Sequence, residues 1–317
     1  MTWYDVPPGQ KDSTNQDWYE QAVLDAVRTG RAQFEYATVT SQAGGHTGTF
    51  RVFADALKID GVRISCSATL EQQVADVLGC CLLTPRLADL AFQQRQVDVK
   101  PYPMPIASTV GAMVKESATV DKAVGGRVGL VQTVGKHWVL TNTLVGKKAG
   151  SGQAACNYGW QFSGDLFGGQ RWGSAVTPGL RCIQDMGWAH DVHHADYSQT
   201  CVLVSRQCTV DGRPADLSAV LADPQLSALV SHEGPLRILR QPGVPQLDQR
   251  TPQARDGGGL VAMNGDSDWI GKTFSKENLL PKSGMIVGTA VGGLVGGWVG
   301  ALVGGTVGAI VDEFRKL

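Results

Sequence analysis

Apolar residues recur at helical spacing over residues 17–28 (DWYEQAVLDAVR), and the pattern stops before Gly30. The period then shortens to two. Residues 34–40 and 49–59 read as strands across a turn at Gly44-Gly45, and 62–65 follows Asp60-Gly61, a strong hairpin signal. Helical spacing returns with Leu70, Val74, Val77 and Leu78 on one face, capped by Ser67 or Thr69 and stopped at Gly79. Thr84-Pro85 is a cap followed by proline at the first helical position, so 86–95 is expected to be helix. Pro101, Pro103 and Pro105 mark an extended crossing before a further helix over 109–124.

Strand patterning takes over at 128–134, 137–143 and 200–206. Between them, 147–187 is rich in glycine and tryptophan; it reads as an irregular, aromatic-lined segment that is too apolar for disorder. Short helices are expected at 216–221 and 224–230, and a last strand at 236–239. The fold class is therefore α+β. Residues 1–66 read as a β-rich subdomain, 67–240 as a mixed catalytic or binding domain, and 241–283, with its prolines and Gly257-Gly258-Gly259, as a linker.

The pattern after the linker belongs to another solvent. Gly284, Gly288, Gly292, Gly296, Gly300, Gly304 and Gly308 recur every four residues, with no charge from Gly284 to Val311. Glycine costs about 1 kcal/mol per helical position in water relative to alanine, which makes this a poor soluble helix. In a bilayer the backbone must satisfy its own hydrogen bonds, and a row of glycines lets another helix approach closely. Residues 284–311 would extend about 42 Å as a helix, enough for one tilted span across a core of about 30 Å. The expected partners of this glycine zipper are a membrane or other helices.

Composition narrows the classes. A net charge of −1 argues against a nucleic-acid binder that neutralises phosphates. Seven cysteines, without C-x-x-C spacing, read as free thiols rather than a disulfide framework or zinc ribbon. The first residues show no basic and apolar signal segment, so synthesis in a cytoplasm and delivery by secretion machinery or a chaperone are expected, with action at a membrane or bacterial envelope.

Candidate chemistry concentrates in HDVHHADYSQ, residues 190–199. His190 is the candidate general base, Asp196 its orienting carboxylate, and Ser198 a nearby hydroxyl. Cys80, ahead of a helix start, is the candidate nucleophile with an amide-lowered pKa, the alternative being an activated water. Lys136 and Tyr158 complete the polar set. No Glu follows His190 in an H-E-x-x-H pattern, so a metal at His190, His193 and His194 is the less favoured use and no cofactor is expected. The chain also lacks a G-x-S-x-G elbow, a Walker loop and a dinucleotide fingerprint.

Three of these pieces resemble uncharacterised bacterial envelope-associated proteins. They are Gly79-Cys80-Cys81-Leu82-Leu83-Thr84-Pro85, Tyr158-Gly159-Trp160, and His190 with Asp196-Tyr197-Ser198. The resemblance covers about residues 60–240 and implies a shared domain without an established activity. Those proteins carry histidine where this chain has Gln161 and Gln199. The combined expectation is a bacterial toxin or effector, or a phage-derived envelope factor: a peptidoglycan-directed hydrolase with a membrane-active tail. The alternatives are a pore-forming effector with a docking domain, and a structural virion or secretion-apparatus protein.

Overall fold

In a computed structural model of the chain, the first helix has the predicted bounds, with α1 (Asp17–Arg28) burying Tyr19, Val23, Leu24, Ala26 and Val27. The structure describes residues 2–105, 107–132, 134–164 and 177–247, all within one compact unit, Met1–Arg255. The expected linker beyond 247 and the glycine row of 284–311 lie outside the described residues. Among the described residues no helix is long and apolar enough to cross a membrane.

Chain order after α1 runs through short β1 (Ala32–Gln33), then β2 (Tyr36–Ala43) and β3 (His46–Phe53), paired in full register from Tyr36 opposite Phe53 to Ala43 opposite His46. Gly44 and Gly45 turn this hairpin at φ +60° and +83°, values that a side chain would resist. A second hairpin, β4 (Lys58–Ile59) and β5 (Val62–Arg63), turns at Asp60-Gly61 and adds β1 at its edge.

Helix α2 (Ala68–Leu78) starts where the Ser67 hydroxyl accepts the Leu70 amide and ends on left-handed Gly79. Each such cap contributes about 1 kcal/mol. Strand β6 (Cys80–Leu82) leads into α3 (Pro85–Gln93), capped by Thr84 with proline in the first turn as the sequence predicts. Next come β7 (Val97–Asp98) and α4 (Val110–Val124), then β8 (Val131–Gln132), which pairs with β7 in parallel.

The central surprise is the segment expected to be irregular. It contains β10 (Lys148–Ala149), β11 (Gly152–Phe162) and β12 (Arg181–Asp191), and β9 (Lys136–Trp138) lies on the other side of β11. Alternation does not announce β11 because every residue from Ala154 to Phe162 is buried, and two register shifts interrupt its pairing with β12.

A six-stranded sheet runs β15–β14–β3–β13–β6 with β2 also on β3, where β13 is Leu203–Ser205, β14 Gln207–Val210 and β15 Arg213–Asp216. This sheet joins residues on both sides of the expected 66/67 boundary, which therefore falls inside the compact unit. Helix α5 (Leu217–Ala222) and a 3₁₀ turn (Ser227–Leu229) follow as predicted in kind. Residues 236–239 form no strand; Leu236 instead donates its amide to the Leu221 carbonyl. The fold is mixed helix and sheet with several small sheets, in line with α+β.

Beneath α4, Arg63 on β5 is 3% exposed and donates to Asp55 and Asp121, each at 2.6 Å, and to the Ser117 carbonyl. That saturated guanidinium is a structural ion pair.

Candidate functional site

The site is assembled by backbone approach. Gly135 lies so close to the Ser198 carbonyl and the Thr200 side chain that any Cβ there would clash. The Lys136 amide accordingly donates to the Ser198 carbonyl at 2.7 Å, and the Thr200 amide donates back to Lys136. This ladder sets Lys136 of β9 against the turn that carries Asp196.

Asp196 is 2% exposed and gathers its partners from three directions. Lys136 Nζ donates to Oδ2 at 3.0 Å, and the Ser198 amide donates to Oδ1 at 2.8 Å, joined there by the Ser198 hydroxyl. His194 Nε2 stands 3.7 Å from Oδ2, in ion-pair range but beyond a normal hydrogen bond. The Asp196 amide is occupied by the Gln199 side-chain oxygen. Burial alone would raise the Asp196 carboxyl; His194, the Lys136 ammonium and Ser198 outweigh it and hold the pKa far below the usual carboxylate range.

His190, at the end of β12 opposite Ala155, stacks its ring on His194 with centroids 3.7 Å apart and planes 8° from parallel. Its pKa falls to about 4: burial is the main cause, His194 and Lys136 add to it, and Asp196 and Asp191 oppose it. A neutral, partly exposed imidazole thus sits over a second imidazole that faces a buried carboxylate. His193 points to solvent, and its amide donates to Asp191. No group of three or more His, Cys, Asp or Glu residues is arranged to hold a metal among the described residues.

His190, Asp196, Lys136 and Ser198, proposed from sequence, therefore meet. Cys80 does not join them. It lies on β6 in the other sheet, 4% exposed, with its sulfur 3.2 Å from the Tyr36 hydroxyl. Burial pushes its thiol up to about 12, the reverse of the expected activation, because helix α3 starts five residues later and its amides do not reach the sulfur.

Tyr158 also goes elsewhere. Fully buried on β11 opposite His137, it donates its hydroxyl to Asp89 of α3 at 2.7 Å, and Gln161 donates to the same carboxylate oxygen at 3.0 Å. Between them Gly159, at φ +114°, lets the His137 ring and the Gln161 amide pack where a Cβ would come within 3.2 and 3.3 Å. His137 is fully buried, its ring nitrogens make no hydrogen bond of ordinary geometry, and burial lowers its pKa to about 4 against a small opposing pull from the Thr200 backbone. Trp160 holds φ +57°, a strained conformation for a bulky residue, and packs edge-on against Tyr197.

Asp89 and the role of His194 escape the sequence reading. A signal exists for Asp89, the lone acid among Leu87, Ala88, Ala91 and Phe92 on the buried face of α3. A charge on an apolar face predicts a partner, although not which one. Of the two positions where the resembling proteins carry histidine, Gln161 donates to the Asp89 carboxylate, whereas Gln199 accepts from the backbone amide of Asp196 rather than touching its carboxylate. No protein-family model, curated protein or solved structure matches the chain.

Proposed function

We propose that the chain is a hydrolase of a bacterial envelope polymer, with peptidoglycan as the substrate class, deployed as a toxin or effector. The observation that supports this most is the convergence of Lys136, His194 and Ser198 on the buried Asp196 carboxylate, with His190 stacked on His194 at a partly open surface. With Cys80 in the other sheet, the nucleophile is water. His190, unprotonated at neutral pH, takes the proton from water as its oxygen attacks, and returns it to the leaving group. Asp196 acts through His194, whose ring supports His190 from below, so its part is positioning. The envelope as target rests on the glycine row of 284–311, whose composition suits a membrane.

The test is release of soluble fragments from purified peptidoglycan by the full chain, read by mass spectrometry. His190→Ala is expected to slow release by about a hundredfold or more. The acid limb of the wild-type profile is expected near pH 4, where His190 protonates. No released fragments, or full activity in His190→Ala, sinks the reading. The glycine row also favours a second one, in which the tail is the toxic element and the compact unit a docking module. Dye leakage from liposomes with the full chain, lost on truncation at 283 and unchanged in His190→Ala, would favour it.

A further inference from the structure

Asp89 is another buried carboxylate, its side chain 3% exposed, and it accepts from donors in distant segments. Tyr158 and Gln161 donate to Oδ1, and the Thr177 hydroxyl donates to Oδ2. His232 Nε2 lies 3.7 Å from Oδ2 and 3.2 Å from the Thr177 oxygen, with its side chain 28% exposed. The Thr177 hydrogen is already committed to Asp89, so toward His232 that oxygen can only accept. Nε2 must then carry a ring proton, so in the neutral form of the ring Nδ1 is the nitrogen that holds the lone pair. Among the described residues the contacts of the His232 ring fall on Nε2, and none falls on Nδ1.

This is the arrangement by which a carboxylate fixes the tautomer of a working imidazole. It is also unlike a nucleophile triad, because hydroxyl and carboxylate sit on the same ring nitrogen. Thr177 is thereby a holder and the attacking group has to be water. Asp89, 3% exposed and held by three donors, is not placed to protonate a glycoside, and Arg86, one turn earlier on α3, is turned to the Leu229 carbonyl at 3.2 Å rather than to a phosphate subsite. What remains for an imidazole acting on water is acyl chemistry.

We propose that Asp89 and His232 form a second general-base pair, independent of the His190 reading, that hydrolyses a carboxylic ester or amide through His232 Nδ1. The water oxygen bonds to the carbonyl carbon as one water proton passes to Nδ1. That proton is returned to the leaving oxygen or nitrogen as its bond to carbon breaks. His232 is the catalytic residue and Asp89 the positioning residue.

The probe is p-nitrophenyl acetate with the full chain, following release of p-nitrophenolate. His232→Gln is expected to lower kcat/KM by about a hundredfold with an unchanged melting temperature, and His46→Gln, at the exposed pair with Asp211, to leave it within twofold; His190→Ala is assayed beside them. Long-range 1H–15N NMR of the wild type is expected to show the proton of His232 on Nε2, and Asp89→Asn to give mixed tautomers. A proton on Nδ1 in the wild type, no ester cleavage above buffer, or loss that follows His190 instead of His232 overturns the proposal. Because the wild-type tautomer needs no variant, a poorly folding Asp89→Asn does not shelter it. Failure of the peptidoglycan assay removes the His190 reading and leaves this one standing.

Discussion

Both larger sheets bury thiols, Cys156 on β11 and Cys182 on β12 included, but they differ in what else they bury. The six-stranded sheet buries thiols: Cys80 and Cys81 on β6 and Cys208 on β14, with pKa values pushed up by burial to about 12, 11 and 12. The four-stranded sheet is built around carboxylates, with Lys136 of β9 and His190 of β12 directed to the Asp196 cluster and Tyr158 and Gln161 of β11 directed to Asp89. A thiol answers burial by keeping its proton and needs little from its neighbours. A carboxylate held ionised needs several donors, and these have to come from far along the chain. Long-range convergence, and with it candidate chemistry, therefore collects on the four-stranded sheet.

The largest effect expected from this contrast is on stability at Lys136. Replacing it by methionine preserves much of the volume and leaves Asp196 buried without its cation, which should cost about 3–5 kcal/mol in urea unfolding. A cost below about 1 kcal/mol would mean that Asp196 does not depend on charge pairing, and the two sheets would differ in composition only.

Acidification sharpens the same contrast by a smaller amount. His190 titrates near 4 in the folded chain against an ordinary value of 6.5, so the fold favours its neutral form. Its contribution is complete above the unfolded value and is lost as pH falls from about 6.5 through about 4. Buried His137 has the same sign. Glu116 has the opposite one: burial raises it to about 7 against a small lowering by Arg63, so its contribution is complete below its unfolded value and lost as pH rises through about 7. Between pH 7.5 and 5, His190→Asn should therefore lose less stability than the wild type, by about 1–2 kcal/mol once partial exposure is allowed for. Equal slopes in thermal melts at the two pH values would show that His190 is not held neutral.

How far each region was legible follows the range of its determinants. The Gly44-Gly45 and Asp60-Gly61 turns, the Ser67 and Thr84 caps and the Gly79 stop are local chemistry, and the sequence locates all of them. The strand β11 is decided by burial on both faces, which leaves no period to read, and β12 by pairing with β11 across register shifts. At the sites, the cluster of 190–199 was visible as a run of polar residues. That Lys136 joins it depends on the close approach at Gly135, and that Tyr158 leaves it depends on Asp89, an α3 residue 69 positions away. Spacing along a chain carries neither fact.

The smallest effect belongs to the six-stranded sheet. Cys80→Ala removes a buried sulfur and its contact with the Tyr36 hydroxyl, while the Tyr36 ring keeps the Arg51 guanidinium stacked 4.1 Å from its centroid. A cost of about 1 kcal/mol in unfolding is expected, with peptidoglycan release and ester cleavage both within twofold of wild type. Native-state alkylation by iodoacetamide at pH 8 should be far slower at Cys80 than at a free thiol, because a buried group titrating near 12 holds almost no thiolate there. Rapid alkylation, or loss of hydrolysis in Cys80→Ala, would invert the comparison and make the six-stranded sheet the reactive one.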